Sequence, residues 1–85
     1  MFSPSQPVSI FVKYALFPGE FNLSILNSAG EHIKTLDTRR ISAPLEQIYF
    51  WDGTNKYGET VASGIYILYL IEPFDRKIKK VMFVR

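Results

Sequence analysis

Apolar residues along this chain recur at every second position and rarely at helical spacing, which is the pattern of strands that bury one face. In Val8-Ser9-Ile10-Phe11-Val12-Lys13-Tyr14, positions 8, 10, 12 and 14 fall on one side and predict a first strand. Residues 21–26 predict a second, with Phe21, Leu23 and Ile25 opposed by Asn22 and Ser24. A third runs from residue 31 to about residue 36 with Ile33 inward, and a short edge strand is expected around residues 40–42. Residues 45–51, 64–72 and 77–84 predict three more, of which the stretch 64–72 is the most apolar. No segment has the periodicity of a helix, and no internal repeat is apparent.

Turn chemistry separates these runs. Phe17-Pro18-Gly19-Glu20 and Pro73-Phe74-Asp75-Arg76 read as turns. Asn27-Ser28-Ala29-Gly30 closes a tight hairpin, with Gly30 in the left-handed conformation. The most informative stretch is residues 49–66, which reads as strand, compact loop, strand. The only tryptophan, Trp51, sits where the first of those strands ends. Asp52, Gly53, Asn55 and Gly58 are turn formers, because Asp and Asn side chains bond nearby backbone groups and Gly tolerates positive φ. With Gly64 and Tyr66 they form an architectural corner and not a catalytic device.

Short strands punctuated in this way predict an all-β fold, an immunoglobulin-like or fibronectin-like β-sandwich of about seven antiparallel strands. The expected core is Val8, Ile10, Val12, Phe21, Leu23, Ile25, Ile33, Ile48, Phe50, Trp51, Tyr66, Leu68, Leu70, Val81 and Phe83. Neighbours on a regular strand face opposite ways, so the pattern leaves open which of Phe50 and Trp51 turns inward.

Length and composition narrow this further. Eighty-five residues make one domain, with residues 1–6 expected as a Pro/Ser linker or disordered N-terminus and residues 7–85 as the sandwich. A hydrophobic content of 47% and an aromatic content of 15% supply enough apolar surface to argue against disorder. The chain has no cysteine, which excludes disulfides, thiolate metal sites and cysteine nucleophiles. A net charge of +2 does not by itself point to nucleic acid or an anionic membrane. The N-terminus lacks the basic and apolar regions of a signal peptide, so Met1 is read as opening a piece of a longer protein. No apolar run approaches the ~20 residues a membrane-spanning helix requires.

The sequence resembles the immunoglobulin-like domain of the bacterial flagellar hook-capping protein. It is equally similar to the related C-terminal modules of secreted bacterial proteins, including those sorted by the type IX secretion system. The resemblance covers nearly the whole chain. It rests on Pro7 through Pro18, on the hairpin of residues 21–36, and above all on Trp51-Asp52-Gly53-Thr54 followed by Gly58, Val61 and Ser63-Gly64-Ile65-Tyr66. The end, residues 79–85, looks like the closing strand of such modules. The chain departs from the pattern at residues 39–47, where Ala43-Pro44 stands in place of the family's usual glycine. The resemblance implies a non-catalytic accessory module of an exported protein, extracellular or at the cell surface. Its role would be protein–protein contact with a parent domain, a secretion or surface apparatus, or a second copy, with no cofactor. A flagellar hook-cap assembly domain and a carbohydrate-binding module stacking sugars on Trp51, Tyr57 or Tyr69 are the alternatives.

The residues able to carry chemistry have plainer explanations. In the family the chain resembles, the tryptophan is structural, and a Trp beside a tight turn fills a sandwich end well. Asp52, Asn55 and Glu59 are oxygen donors in a glycine-containing loop, but Gly53 and Thr54 break the ligand spacing of a calcium loop and Lys56 adds positive charge, so no metal is expected. His32, the single histidine, has only Glu31 adjacent, and strand alternation sends that side chain to the opposite face. The chain therefore reads as non-enzymatic. Arg76, Lys77, Lys79 and Lys80 form a basic cluster interrupted by Glu72 and Asp75, with Arg39 and Arg40 as a second pair. Lysines of this kind guard strand edges against pairing with other chains, and no nucleic acid is expected.

One strand is anomalous. Between residues 65 and 71, Tyr66, Leu68 and Leu70 make one apolar face while Ile65, Ile67, Tyr69 and Ile71 make the other. The second face reflects either the suitability of Ile and Tyr for any pleated surface or a contact patch for a protein partner.

Overall fold

The computed structural model describes residues 5–14, 19–41 and 45–85. These form six strands: β1 (Val8–Tyr14), β2 (Gly19–Asn27), β3 (His32–Ile41), β4 (Leu45–Trp51), β5 (Gly64–Ile71) and β6 (Arg76–Phe83). They lie in two antiparallel sheets, a two-stranded sheet of β1 and β4 and a four-stranded sheet in the order β3-β2-β5-β6. The chain starts in the small sheet, makes the β2–β3 hairpin in the large one, returns to β4 beside β1, and crosses back to finish with the β5–β6 hairpin. Apolar side chains from both sheets meet in one cluster, so the architecture is a two-layer β fold, as the alternating pattern predicts.

The count is six strands among the described residues, against the expected seven. The missing one is merged into β3. Asp37, a residue that disfavours strands, lies within β3, and the strand continues through Arg40 to Ile41. Asp37 is satisfied there: Arg39 Nε lies 2.7 Å from its Oδ2, and the Tyr49 hydroxyl donates to the same oxygen. Register shifts at Leu23/Ser24 and Ile25/Leu26 keep β2 and β3 paired along their whole length. The predicted turn at residues 17–20 is also altered, because Gly19 and Glu20 already belong to β2; Phe17, Pro18, Ser42, Ala43 and Pro44 lie outside the described residues. Ser5 lies in a turn and Gln6 at a bridge position; residues 1–4 lie outside the described residues.

Trp51, Phe21, Phe83 and Ile25 are the largest side chains fully withdrawn from water. Burial of each aliphatic or phenyl side chain of this kind stabilises the fold by about 1.5–3 kcal/mol. Ile10, Val12, Leu23, Tyr66, Leu68 and Leu70 complete the expected core, with Val8, Ile33 and Val81 partly buried against it. Two expected core residues are corrected. Phe50 is 67% exposed and Ile48 is 53% exposed, because Trp51 takes the inner face of β4 and alternation turns both of them outward. Tyr49, Leu36, Ile41 and Val61 fill the corresponding space.

Candidate functional site: corner loop and contact surfaces

The corner forms where β4 must leave the small sheet and β5 must enter the large one. Trp51 ends β4 pointing inward, and its Nε1 donates to the Thr54 carbonyl at 2.8 Å, which folds the chain back under the indole. Asp52 Oδ1 accepts from the Thr54 hydroxyl at 2.7 Å and from the Thr54 N–H at 3.2 Å. Gly53 has φ of 85° and lies directly on the Phe83 ring. Across this end the rings of Trp51 and Tyr66 meet edge-on with centroids 5.2 Å apart, and Phe83 closes the triangle at 6.0 and 6.4 Å. The Tyr66 hydroxyl donates to the Ala62 carbonyl at 2.6 Å, and burial pushes its phenol above the ordinary value of 10.0. Trp51, Asp52, Gly53 and Tyr66 are thus brought together around a residue of the last strand. Gly64 sits opposite Phe83 in the β5–β6 register, but an added Cβ there would meet open space.

Asn55 and Gly58 belong to a second device at the loop tip. Asn55 Oδ1 accepts from the N–H groups of Tyr57 and Glu59, Gly58 N donates to the Asn55 carbonyl at 3.0 Å, and Asn55 N donates to the Glu59 carbonyl at 2.8 Å. The β2–β3 hairpin repeats this arrangement atom for atom. Asn27 Oδ1 accepts from Ala29 and Glu31, Gly30 N donates to the Asn27 carbonyl, and Asn27 N donates to the Glu31 carbonyl. Each Asn also donates from Nδ2 to the side chain of its Glu, and Gly30 and Gly58 have φ of 86° and 80°. Asn-x-x-Gly-Glu therefore occurs twice, at residues 27–31 and 55–59, a five-residue repeat visible in the sequence once the side-chain role of Asn is considered. Replacing Asn55 with Ala removes the acceptor for two exposed N–H groups that water can partly resolvate. The expected loss is about 1 kcal/mol, and Asn27→Ala should cost about the same; urea unfolding of both variants checks it.

The Asp52 carboxyl is held below its ordinary 3.8, chiefly by the Thr54 hydroxyl, with the Thr54 N–H and the Lys34 charge adding and partial burial opposing. A carboxylate depressed on folding contributes stability that is present above its unfolded value and is lost as pH falls through the folded one. Thermal melts from about pH 5 down to pH 2 should therefore decline less steeply for Asp52→Asn, which keeps an acceptor but has no charge to lose.

The other candidate chemistry disperses. His32 is exposed, with Nε2 2.8 Å from the Thr35 hydroxyl. Arg40 meets Glu20 at 3.6 Å in the open, and Lys77 Nζ lies 3.1 Å from Oε1 of the buried Glu72, an ion-pair contact outside hydrogen-bond alignment. Of the three aromatics considered for sugar stacking, Trp51 is 1% exposed and leaves no face for a ligand, Tyr69 is half-buried, and Tyr57 is 74% exposed with Lys56 Nζ 5.4 Å from its ring centroid.

The anomalous strand presents its second face on the outside of the large sheet. Ile65 and Ile71 are exposed there and Ile67 and Tyr69 half-buried. Cross-strand register sets Met82 opposite Ile65 and Ile78 opposite Tyr69, and both β6 residues are exposed. Lys80 and Arg76 stand between and beside these on β6, Leu26 of β2 stands opposite Ile67, and further along β2 Asn22 bonds Thr38 and Ser24 bonds Asn22 beside Thr35. Sequence reasoning missed a second apolar surface on the outside of the small sheet. Phe11 pairs with Ile48 and lies diagonal to Phe50, and all three are exposed. Choosing Trp51 as the inward residue would have revealed it, since that choice turns Phe50 and Ile48 out.

No family model, curated protein or solved structure matches the chain. The coordinates themselves define its class, a small all-β protein of two antiparallel sheets.

Proposed function

We propose that this chain is a non-catalytic, immunoglobulin-like accessory module of an exported bacterial protein, and that it works by protein–protein contact. The observation that carries the reading is the row of large apolar side chains on the outer sheet faces. Ile65, Ile71, Ile78 and Met82 stand on one face and Phe11, Ile48 and Phe50 on the other, positions where a solvated sheet takes polar residues. The corner supports the reading from the other side. Its carboxylate, amide and hydroxyl groups bond one another and the backbone, so they act as turn formers. The immunoglobulin-like assignment and the exported setting rest on the sequence resemblance around Trp51 and residues 63–66.

The test is photo-crosslinking from single positions in the natural full-length gene product. Benzoylphenylalanine at Ile65 or Phe50 should yield defined protein adducts, and the same group at Glu20 should not. Retardation of the domain in polysaccharide gels, abolished by Tyr57→Ala and unaccompanied by adducts, would replace this reading with the carbohydrate one.

A further inference from the structure

The small sheet has two strands and the large one four, so part of the large sheet's inner face extends past its cover. The result is a cleft of about 300 Å³ between β1 and β6, at the lower end of the size range of ligand pockets. Its walls include three consecutive residues of β1, from Ile10 to Val12, and three of β6, from Lys77 to Lys79. Consecutive residues line a cleft only when the strand edge, and not merely one face, borders it. Among the described residues β1 pairs with β4 alone and β6 with β5 alone, so each presents an open backbone edge here. The floor is apolar, formed by Ile10, Val12, Leu68 and Leu70.

The lip is cationic. Lys77 and Lys79 share the parity of Val81 and Phe83, and register sets them opposite Leu70 and Leu68, on the core side of β6. Lys77 already holds one carboxylate, that of Glu72 at 3.1 Å. Lys79 has no anionic partner among the described residues. Alternate residues of a strand lie about 6.6 Å apart, so two acidic side chains at positions i and i+2 of a strand laid along the cleft match the spacing of the Lys77 and Lys79 positions on β6.

We infer that the cleft is a strand-docking site. It takes an extended peptide segment with Asp or Glu at two alternate positions and aliphatic residues between or beside them. The segment adds to the open edge of β1 as a third strand of the small sheet, sets its carboxylates against Lys77 and Lys79 with their methylenes over the apolar floor, and by alternation turns the aliphatic residues outward beside Phe11 and Ile78. Main-chain hydrogen bonds supply affinity and the lysines select the sequence. The cleft borders the outer faces at Phe11 and Ile78, which line it, but needs none of Ile65, Ile71 and Met82. The competing role for inward-pointing lysines is protection of the β6 edge against other chains.

The experiment titrates the 85-residue chain into fluorescein-labelled octapeptides and reads anisotropy. One peptide alternates glutamate with valine, one alternates lysine with valine, and one is the glutamate peptide with N-methylated backbone amides. Binding is expected for the glutamate peptide alone, with NMR shifts confined to the amides of β1 and β6. Lys77→Glu/Lys79→Glu should weaken that peptide at least ten-fold and confer binding of the lysine peptide; Lys77→Gln/Lys79→Gln gives the same loss should the reversal variant fail to fold. The proposal is overturned by equal binding of both charged patterns, by undiminished binding of the N-methylated peptide, or by shifts confined to Ile65, Ile67 and Ile71 of β5. It is equally overturned if the wild-type chain ignores the glutamate peptide; self-association of the charge-reversed chain by light scattering then assigns the lysines to guarding the edge.

Discussion

Gly53→Ala should remove a large part of the stability of this domain, while Gly58→Ala, at nearly the same φ, should cost clearly less. Both glycines sit in the left-handed region, at 85° and 80°, where a Cβ costs about 1–2 kcal/mol. They differ in what a Cβ would meet. At Gly58 nothing lies within 4 Å. At Gly53 the new carbon would fall 2.2 Å from Cε1 and 2.3 Å from Cζ of Phe83. That ring is fully buried beneath Trp51 and Tyr66 and has nowhere to go. Overpacking of this kind adds about 1–3 kcal/mol, giving about 2–5 kcal/mol in all. A chain of this size is stable by roughly 4–13 kcal/mol. Thermal unfolding is the measurement. At ~4–8 °C per kcal/mol, Gly58→Ala should lower Tm by less than about 15 °C and Gly53→Ala by clearly more, or abolish a cooperative transition. Equal shifts for the two would mean that Gly53 does not touch Phe83.

Trp51→Ala should be about as damaging, for a different reason. The indole is buried among Tyr66 and Phe83, and truncating a buried Trp typically costs about 3–5 kcal/mol in lost transfer energy and residual cavity. Trp51→Phe separates the two contributions of the side chain. It keeps much of the ring volume but strands the Thr54 carbonyl, which now accepts from Nε1 at 2.8 Å. About 1–3 kcal/mol is expected for that loss. The native protein should emit at the short wavelengths of a dry indole and resist iodide quenching. A red-shifted emission, or a near-neutral Trp51→Ala, would show that the tryptophan does not anchor the corner.

The two variants probe one object that was only half legible in the sequence. Asp52, Gly53, Asn55 and Gly58 declare a tight loop through their own turn chemistry. Nothing local says that Gly53 must make room for Phe83, thirty residues later. The Asn-x-x-Gly-Glu repeat was legible in principle, since its hydrogen bonds close within five residues. The outer face of residues 65–71 was also legible, because a strand apolar on both sides needs no partner to be recognised. The surface of Phe11, Ile48 and Phe50 was not, because it depends on how β1 and β4 pair and on which of two adjacent aromatics turns inward.

The sequence by itself determined the positions of β1, β4, β5 and β6 to within a residue, the three inward rows of β1, β2 and β5, and the turns with positive φ at Gly30, Gly53 and Gly58. These follow from interactions within a few residues: alternation across a pleat and bonding from Asx side chains to the adjacent backbone. The tertiary structure alone decided the passage of β3 through Asp37, the inward turn of Trp51 with the exposure of Phe50, and the cleft between β1 and β6. Each of those depends on residues far apart in the chain. Tyr49 and Arg39 satisfy Asp37, Tyr66 and Phe83 receive the indole, and a two-stranded layer leaves uncovered what a four-stranded layer offers.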